Sequence, residues 1–91
     1  MYEIIFSKNA LQDIKAFVKS GNAVAVKKLR KLLDELKINP LTGTGNPKPL
    51  GYDRAGQWSR RITGKHRLVY SVEHETVTVH VLAVAGHYDD K

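Results

Sequence analysis

A chain of 91 residues with 42% hydrophobic residues has room for one domain with one modest core, burying roughly 60 to 65% of its unfolded surface. The absence of cysteine excludes a disulfide framework, a thiolate metal site and a cysteine nucleophile, and fits a reducing cytoplasm, the predicted compartment. No stretch approaches the roughly 20 apolar residues that cross a bilayer, so no membrane partner is expected, while 15 Lys and Arg against 9 Asp and Glu, a net of +6, point to a polyanion.

Tyr2 to Phe6 reads as a first strand, ended where Ser7 can cap a helix. Leu11, Ile14, Phe17 and Val18 then recur at helical spacing up to the stop signal Ser20-Gly21. A second helix is predicted from Asn22 to Lys37, with Ala25, Leu29, Leu32 and Leu36 as its core stripe and Lys27, Lys28, Lys31, Asp34 and Glu35 on its wet side. Asn39 to Gly51 holds all three prolines and can be neither helix nor central strand. Within it Gly43-Thr44-Gly45 is not followed by Gly-Lys-Ser/Thr, so nucleoside triphosphate binding is discounted and no cofactor is expected.

Three strands follow, at Gln57 to Ile62, His66 to Val72 and Thr76 to Val84, joined by connectors short enough for antiparallel hairpins. The element order predicts a single α+β domain over residues 1–91, with the helices packed on one face of an antiparallel sheet. With Thr63 to Lys65 as the first loop, Trp58 opposes Tyr70, Arg60 opposes Leu68 and Arg61 faces Arg67. In the last strand Val77, Val79, Val81 and Ala83 share the core face. The four histidines have no close metal-ligand spacing, so a metal site is not expected.

Between Pro40 and Tyr70 lie Lys48, Arg54, Arg60, Arg61, Lys65 and Arg67, opposed by Asp53 alone, which places +5 in one third of the chain. Two guanidiniums opposite each other on a sheet repel unless an anion lies between them, so Arg61 and Arg67, with Arg60 and Lys65 beside them, predict an anion site. His87, after Ala85-Gly86 and next to Tyr88, is placed to offer an imidazole to such a site.

The run Asn39-Pro40-Leu41-Thr42-Gly43-Thr44-Gly45-Asn46-Pro47-Lys48-Pro49-Leu50, the segment Trp58-Ser59-Arg60-Arg61-Ile62-Thr63, the stretch His66-Arg67-Leu68-Val69-Tyr70 and terminal His87-Tyr88 together resemble the YoeB branch of the RelE/ParE toxin superfamily. The resemblance covers essentially the whole chain. It implies a RelE/YoeB-like, microbial RNase-like fold and a toxin of a type II toxin-antitoxin pair that cuts messenger RNA in the ribosomal A site. Its implied partners are a YefM-like antitoxin, the bacterial ribosome, messenger RNA and a second copy in a homodimer. Arg67 would be the principal phosphate clamp, assisted by Arg61. His87 would be the general acid, suited by an ordinary pKa of about 6.5, and Tyr88 would pack on the RNA.

Lys48 departs from the pattern, because relatives of this branch usually carry a glutamate there as the general base. A protonated lysine cannot take a proton. Either a neutral amine acts as base, or the charged group stabilises the transition state, or the chain is a weakened toxin that retains binding to antitoxin or RNA. A gyrase-poisoning reading, as in the ParE branch, ranks below these because of the His87-Tyr88 pair. For Trp58 and Leu50, core, dimer and antitoxin contacts all stay open.

Overall fold

Ser7 ends the first strand and starts the first helix with one side chain. Its hydroxyl oxygen accepts the Ala10 amide at 2.9 Å, capping helix α1 (Lys8–Lys19), while its own proton goes to the carbonyl of Leu82 at 3.0 Å. A computed structural model describes residues 1–50 and 56–86. Strand β1 spans Glu3–Phe6, helix α2 Ala23–Ile38, and strands β2 to β5 span Lys48–Pro49, Gln57–Arg61, His66–Glu73 and Thr78–Gly86. Asn22 caps α2 by accepting the Ala25 amide at 3.0 Å.

The strands form one sheet in the order β1-β5-β4-β3-β2. Pairing within β2-β3-β4-β5 is antiparallel, but β1 runs parallel to β5. The sheet is therefore mixed rather than purely antiparallel, because two helices intervene between β1 and the rest and carry the chain back to the starting end. Apolar stripes from both helices cover one face. Ala10, Phe17, Ala25, Leu29, Leu32 and Leu36 meet Ile62, Leu68, Tyr70, Val79, Val81 and Val84, all buried. Trp58 is half-buried and packs against the same cluster.

Two features of β5 differ from simple alternation. Val77 sits in the turn at φ 51 and is 42% exposed, so the strand starts at Thr78 and Val77 leaves the core face. A bulge then lets Val69 pair with Ala83 while Tyr70 pairs with Val81. The extra residue shifts the phase, and Val84 enters the core in place of Ala83. Pairing with β1 ends at Phe6 opposite Val81, so β5 loses its neighbour there. Helix α1 replaces it, with Ser7 donating to Leu82 and Asp13 Oδ2 accepting the Val84 amide at 3.1 Å.

Candidate nucleic-acid interface

Strand alternation sends the arginines of β3 and β4 to opposite sides of the sheet. Arg60 joins Leu68 and Tyr70 on the helix side, whereas Ser59, Arg61, Arg67 and Val69 lie on the outer face. Arg61 pairs directly with Arg67, a placement with Cβ atoms about 4.5 to 5.5 Å apart. Lys48 pairs with Ser59, two residues before Arg61. It therefore shares the outer face one diagonal step away, roughly 7 to 8 Å from Arg61.

Lys48 and Arg61 are exposed and Arg67 is half-buried. Among the described residues none of these three side chains has a hydrogen-bond or ion-pair partner. Three cations gathered without a counter-charge repel one another, and an anion bound between them would remove that repulsion. Lys65 adds a fourth at the exposed tip of the β3–β4 hairpin, where its amide is held by Thr63 Oγ1 at 3.0 Å. Strand β5 brings the chain past this cluster, with Ala85 opposite Arg67 and Gly86 opposite His66. His87 and Tyr88 follow in sequence and lie outside the described residues, as do Asp53 and Arg54.

Arg60 is the correction. Expected among the phosphate contacts, it is 0% exposed, and its guanidinium is spent inside the protein. Nε donates to the Tyr70 hydroxyl at 3.1 Å, Nη1 to Glu35 Oε1 at 2.9 Å and to the Thr44 carbonyl at 3.3 Å, and Nη2 to the carbonyls of Asn39 and Thr42 at 2.9 and 2.7 Å. Tyr70 in turn donates to the Pro40 carbonyl at 2.7 Å. A buried cation is tolerated only with this degree of pairing. The knot fixes the irregular segment that leads into β2, and so fixes where Lys48 meets the sheet.

The glycines around Thr44 serve the same knot. Glu35 accepts both the amide and the hydroxyl of Thr44, at 2.8 and 2.6 Å. A Cβ on Gly43 would lie 2.5 Å from Glu35 Oε1, and one on Gly45 would lie 2.8 Å from the Arg61 carbonyl oxygen. Both glycines also have positive φ, at 124° and 85°. The Gly-Thr-Gly run is therefore a carboxylate cradle and not a phosphate loop.

Burial pushes the Glu35 carboxyl upward, but the two Thr44 hydrogen bonds and the Arg60 charge outweigh it, and the net shift is downward from the ordinary 4.5. A lowered folded-state pKa contributes stability that is fully present above 4.5 and is lost as pH falls through the folded value. Thermal unfolding should accordingly show the midpoint dropping on acidification below 4.5, and Glu35→Gln should lower the neutral-pH midpoint while flattening that acid limb. An acid limb unchanged in the variant would remove Glu35 as its source.

Two of the described histidines, His66 and His74, make contacts within the scaffold. His66 packs edge-on against Phe17, with centroids 5.1 Å apart. The Thr63 hydroxyl accepts the amides of Lys65 and His66 at 3.0 Å each, so its single proton goes to His66 Nδ1 at 3.1 Å. His74 meets the Tyr2 hydroxyl at 3.1 Å in an exposed turn. His80 lies on the outer face in the row of Ser71, four pairs along β4 from Arg67.

The profile of the YoeB-like toxin of bacterial type II toxin-antitoxin system matches residues 6–88. Toxin YoeB of Escherichia coli strain K12 is 34% identical over 86 residues, covering 94% of this chain and 99% of the relative. In a YoeB-YefM complex from Staphylococcus aureus, the similar chain superposes with a TM-score of 0.79 at 36% identity, over 97% of this chain and 99% of that one. A YoeB dimer from the same organism gives 0.80 at 35% identity, over 96% and 98%. With the family profile matching most of the chain and the relatives covered almost end to end, this chain belongs to the YoeB-like toxins of bacterial type II toxin-antitoxin systems.

Proposed function

We propose that the chain is a ribosome-dependent messenger RNA endonuclease that cuts in the A site without a metal ion. The observation that carries this reading is the cationic row of Lys48, Arg61 and Arg67, without a partner among the described residues, on the outer sheet face of a YoeB-like toxin. The 2′-hydroxyl of one nucleotide attacks its own 3′-phosphate. The O2′–P bond forms, the P–O5′ bond breaks, and a 2′,3′-cyclic phosphate and a 5′-hydroxyl remain. Arg67 and Arg61 hold the phosphate and take up the charge that grows on it in the transition state. His87 gives its proton to the leaving 5′-oxygen, and Tyr88 packs on the RNA.

Lys48 acts as a cation in this scheme. It is exposed on a two-residue edge strand, where water solvates its ammonium, and desolvation is what a neutral amine would require. The 2′ proton leaves to water or to a ribosomal group. Loss of a positioned base typically lowers a rate by about 10² to 10⁴, so the chain is a slower nuclease than a glutamate-bearing relative. The same lysine favours the second reading, a toxin homologue that binds antitoxin or RNA and cuts poorly. In either case a YefM-like antitoxin is the natural partner, as YefM is for the Staphylococcus aureus chain, and a homodimer is the resting assembly by analogy with the dimer from that organism.

Product-end mapping tests the proposal. A defined messenger on programmed bacterial ribosomes should be cut to cyclic phosphate and 5′-hydroxyl ends, with the same messenger left whole when free. Ends bearing a 5′-phosphate, or equal cutting of free RNA, would overturn it.

A further inference from the structure

Helix α1 takes over one edge of β5 where β1 stops. The parallel pairing ends at Phe6 opposite Val81, and beyond it that edge is held by side chains of α1 and its cap. Ser7 donates to the Leu82 carbonyl at 3.0 Å, and Asp13 Oδ2 accepts the Val84 amide at 3.1 Å. The other edge of β5 stays paired with β4, where Val84 is opposite Leu68 and Ala85 opposite Arg67. The amide that Asp13 holds is thus one residue from the partner of Arg67 and three residues before His87.

Helix formation does not explain an aspartate at this position. Asp13 is the one acidic residue in Lys8–Lys19, and aspartate is a poor helix former. It stands in the second turn, beyond the first turn in which the helix dipole favours a carboxylate. Positions three and four residues away hold Asn9, Ala10, Ala16 and Phe17, so no cation of the helix is spaced to pair with it. Among the described residues it makes no salt bridge. It is half-buried, and with Phe17, His66 and Val84 it lines a cleft of about 290 Å³ between α1 and the adjoining ends of β4 and β5. The contact that accounts for a carboxylate here is the Val84 amide.

We infer that Asp13 is a positioning residue for the nuclease. By fixing the Val84 amide it sets the path on which β5 leaves the sheet beside Arg67, and so where His87 meets the phosphate. The inference rests on the nuclease reading for the role of His87. The bulge explains why such a hold is needed. The register between β4 and β5 shifts between Val69 and Tyr70, which adds a residue to β5 just before this point, and a bulge bends and re-aims the strand that follows. With β1 ended, pairing with β4 alone would leave the end of β5 free to swing. Asp13 supplies the second edge. A misplacement of about 1 Å at a reacting group can cost about 10² in rate, and the loss cannot exceed that of the proton donor itself, about 10² to 10⁴.

Three full-length variants test it. Asp13→Ala removes the acceptor, Asp13→Asn keeps an acceptor oxygen at the same reach without the charge, and Asp13→Glu keeps the charge one methylene farther out. Amide hydrogen exchange of the free proteins is read first. Exchange should quicken in Asp13→Ala at Val84 and the residues after it, and stay as in the natural chain in Asp13→Asn. Unchanged exchange at the buried amides of α2 certifies the fold of all three. Single-turnover cutting of messenger on bacterial ribosomes should then fall about 10- to 100-fold in Asp13→Ala, with ribosome affinity unchanged and most of the rate kept in Asp13→Asn. Added to His87→Ala, the same change should cost nothing further, because a residue that acts through the acid has nothing left to position. Exchange at Val84 unchanged in Asp13→Ala overturns the inference, as does cutting equal to that of an active natural chain, or a rate that falls by the same factor with and without His87. Activity kept by Asp13→Glu and lost in Asp13→Asn overturns it too, since charge and not position would then matter. If the natural chain binds ribosomes without cutting while exchange at Val84 behaves as stated, the hold on β5 stands and the nuclease reading falls.

Discussion

Arg67→Ala is expected to lower ribosome-dependent cleavage by about 10² to 10³, the cost of removing one preorganised donor to a developing oxyanion, while leaving the fold as stable as before or slightly more so. The two halves of that expectation have one cause. Arg67 stands directly opposite Arg61 and neither guanidinium has a partner among the described residues, so deleting one relieves a repulsion of a few tenths of a kcal/mol in the free protein. An arginine kept for stability would behave in the opposite way. Arg67→Lys should recover only part of the rate, because an ammonium lacks the planar fork that grips a phosphate at two oxygens. Single-turnover cleavage and denaturant unfolding on the same preparations check both halves. Full activity in the alanine variant would remove the clamp, and a large loss of stability would reassign Arg67 to the scaffold.

Arg60→Met should do the reverse and cost about 3 to 5 kcal/mol of folding free energy, the range for breaking a buried ion pair by removing one partner. The methionine leaves the Glu35 carboxylate without its cation and the carbonyls of Asn39, Thr42 and Thr44 without donors. Each buried group left unpaired carries its own desolvation cost. For a domain of this size, with total stability of roughly 5 to 14 kcal/mol, that is at least about a fifth of the whole. Equilibrium unfolding in urea measures it directly. A change below about 1 kcal/mol would mean that the pair behaves like an exposed salt bridge and that the irregular segment is held by other contacts. Arg67 and Arg60, on neighbouring strands, thus have opposite predicted phenotypes, and the side of the sheet on which each lies separates them.

That contrast also marks where the sequence is legible. Both helices, the cap at Ser7 and the Arg61–Arg67 register follow from local periodicity and loop length, and the structure has them. The predicted register sets Arg60 opposite Leu68, as the structure does. A charge there demands a buried partner, but the partner lies 25 residues earlier, on a helix position that the polar stripe assigns to solvent. Glu35 adjoins Leu36 and lies one turn from Leu32, at the edge of the core stripe. A carboxylate on that boundary is the signal that could have found it. The parallel pairing of β1 and the bulge that puts Val84 in the core are tertiary outcomes with no short-range trace. Lys48 was legible by position, and its place beside Ser59 required the Arg60 knot that delivers it there.

The most direct measurement is single-turnover cutting of a ribosome-bound messenger by the natural chain beside Lys48→Glu, with product ends mapped. The account predicts that the natural chain cuts, leaving cyclic phosphate and 5′-hydroxyl ends, and that glutamate raises the rate by supplying a base, by up to about 10² to 10⁴. Silence from the natural chain with activity only in Lys48→Glu would contradict it, and would make Lys48 the lesion in a toxin scaffold that binds without cutting.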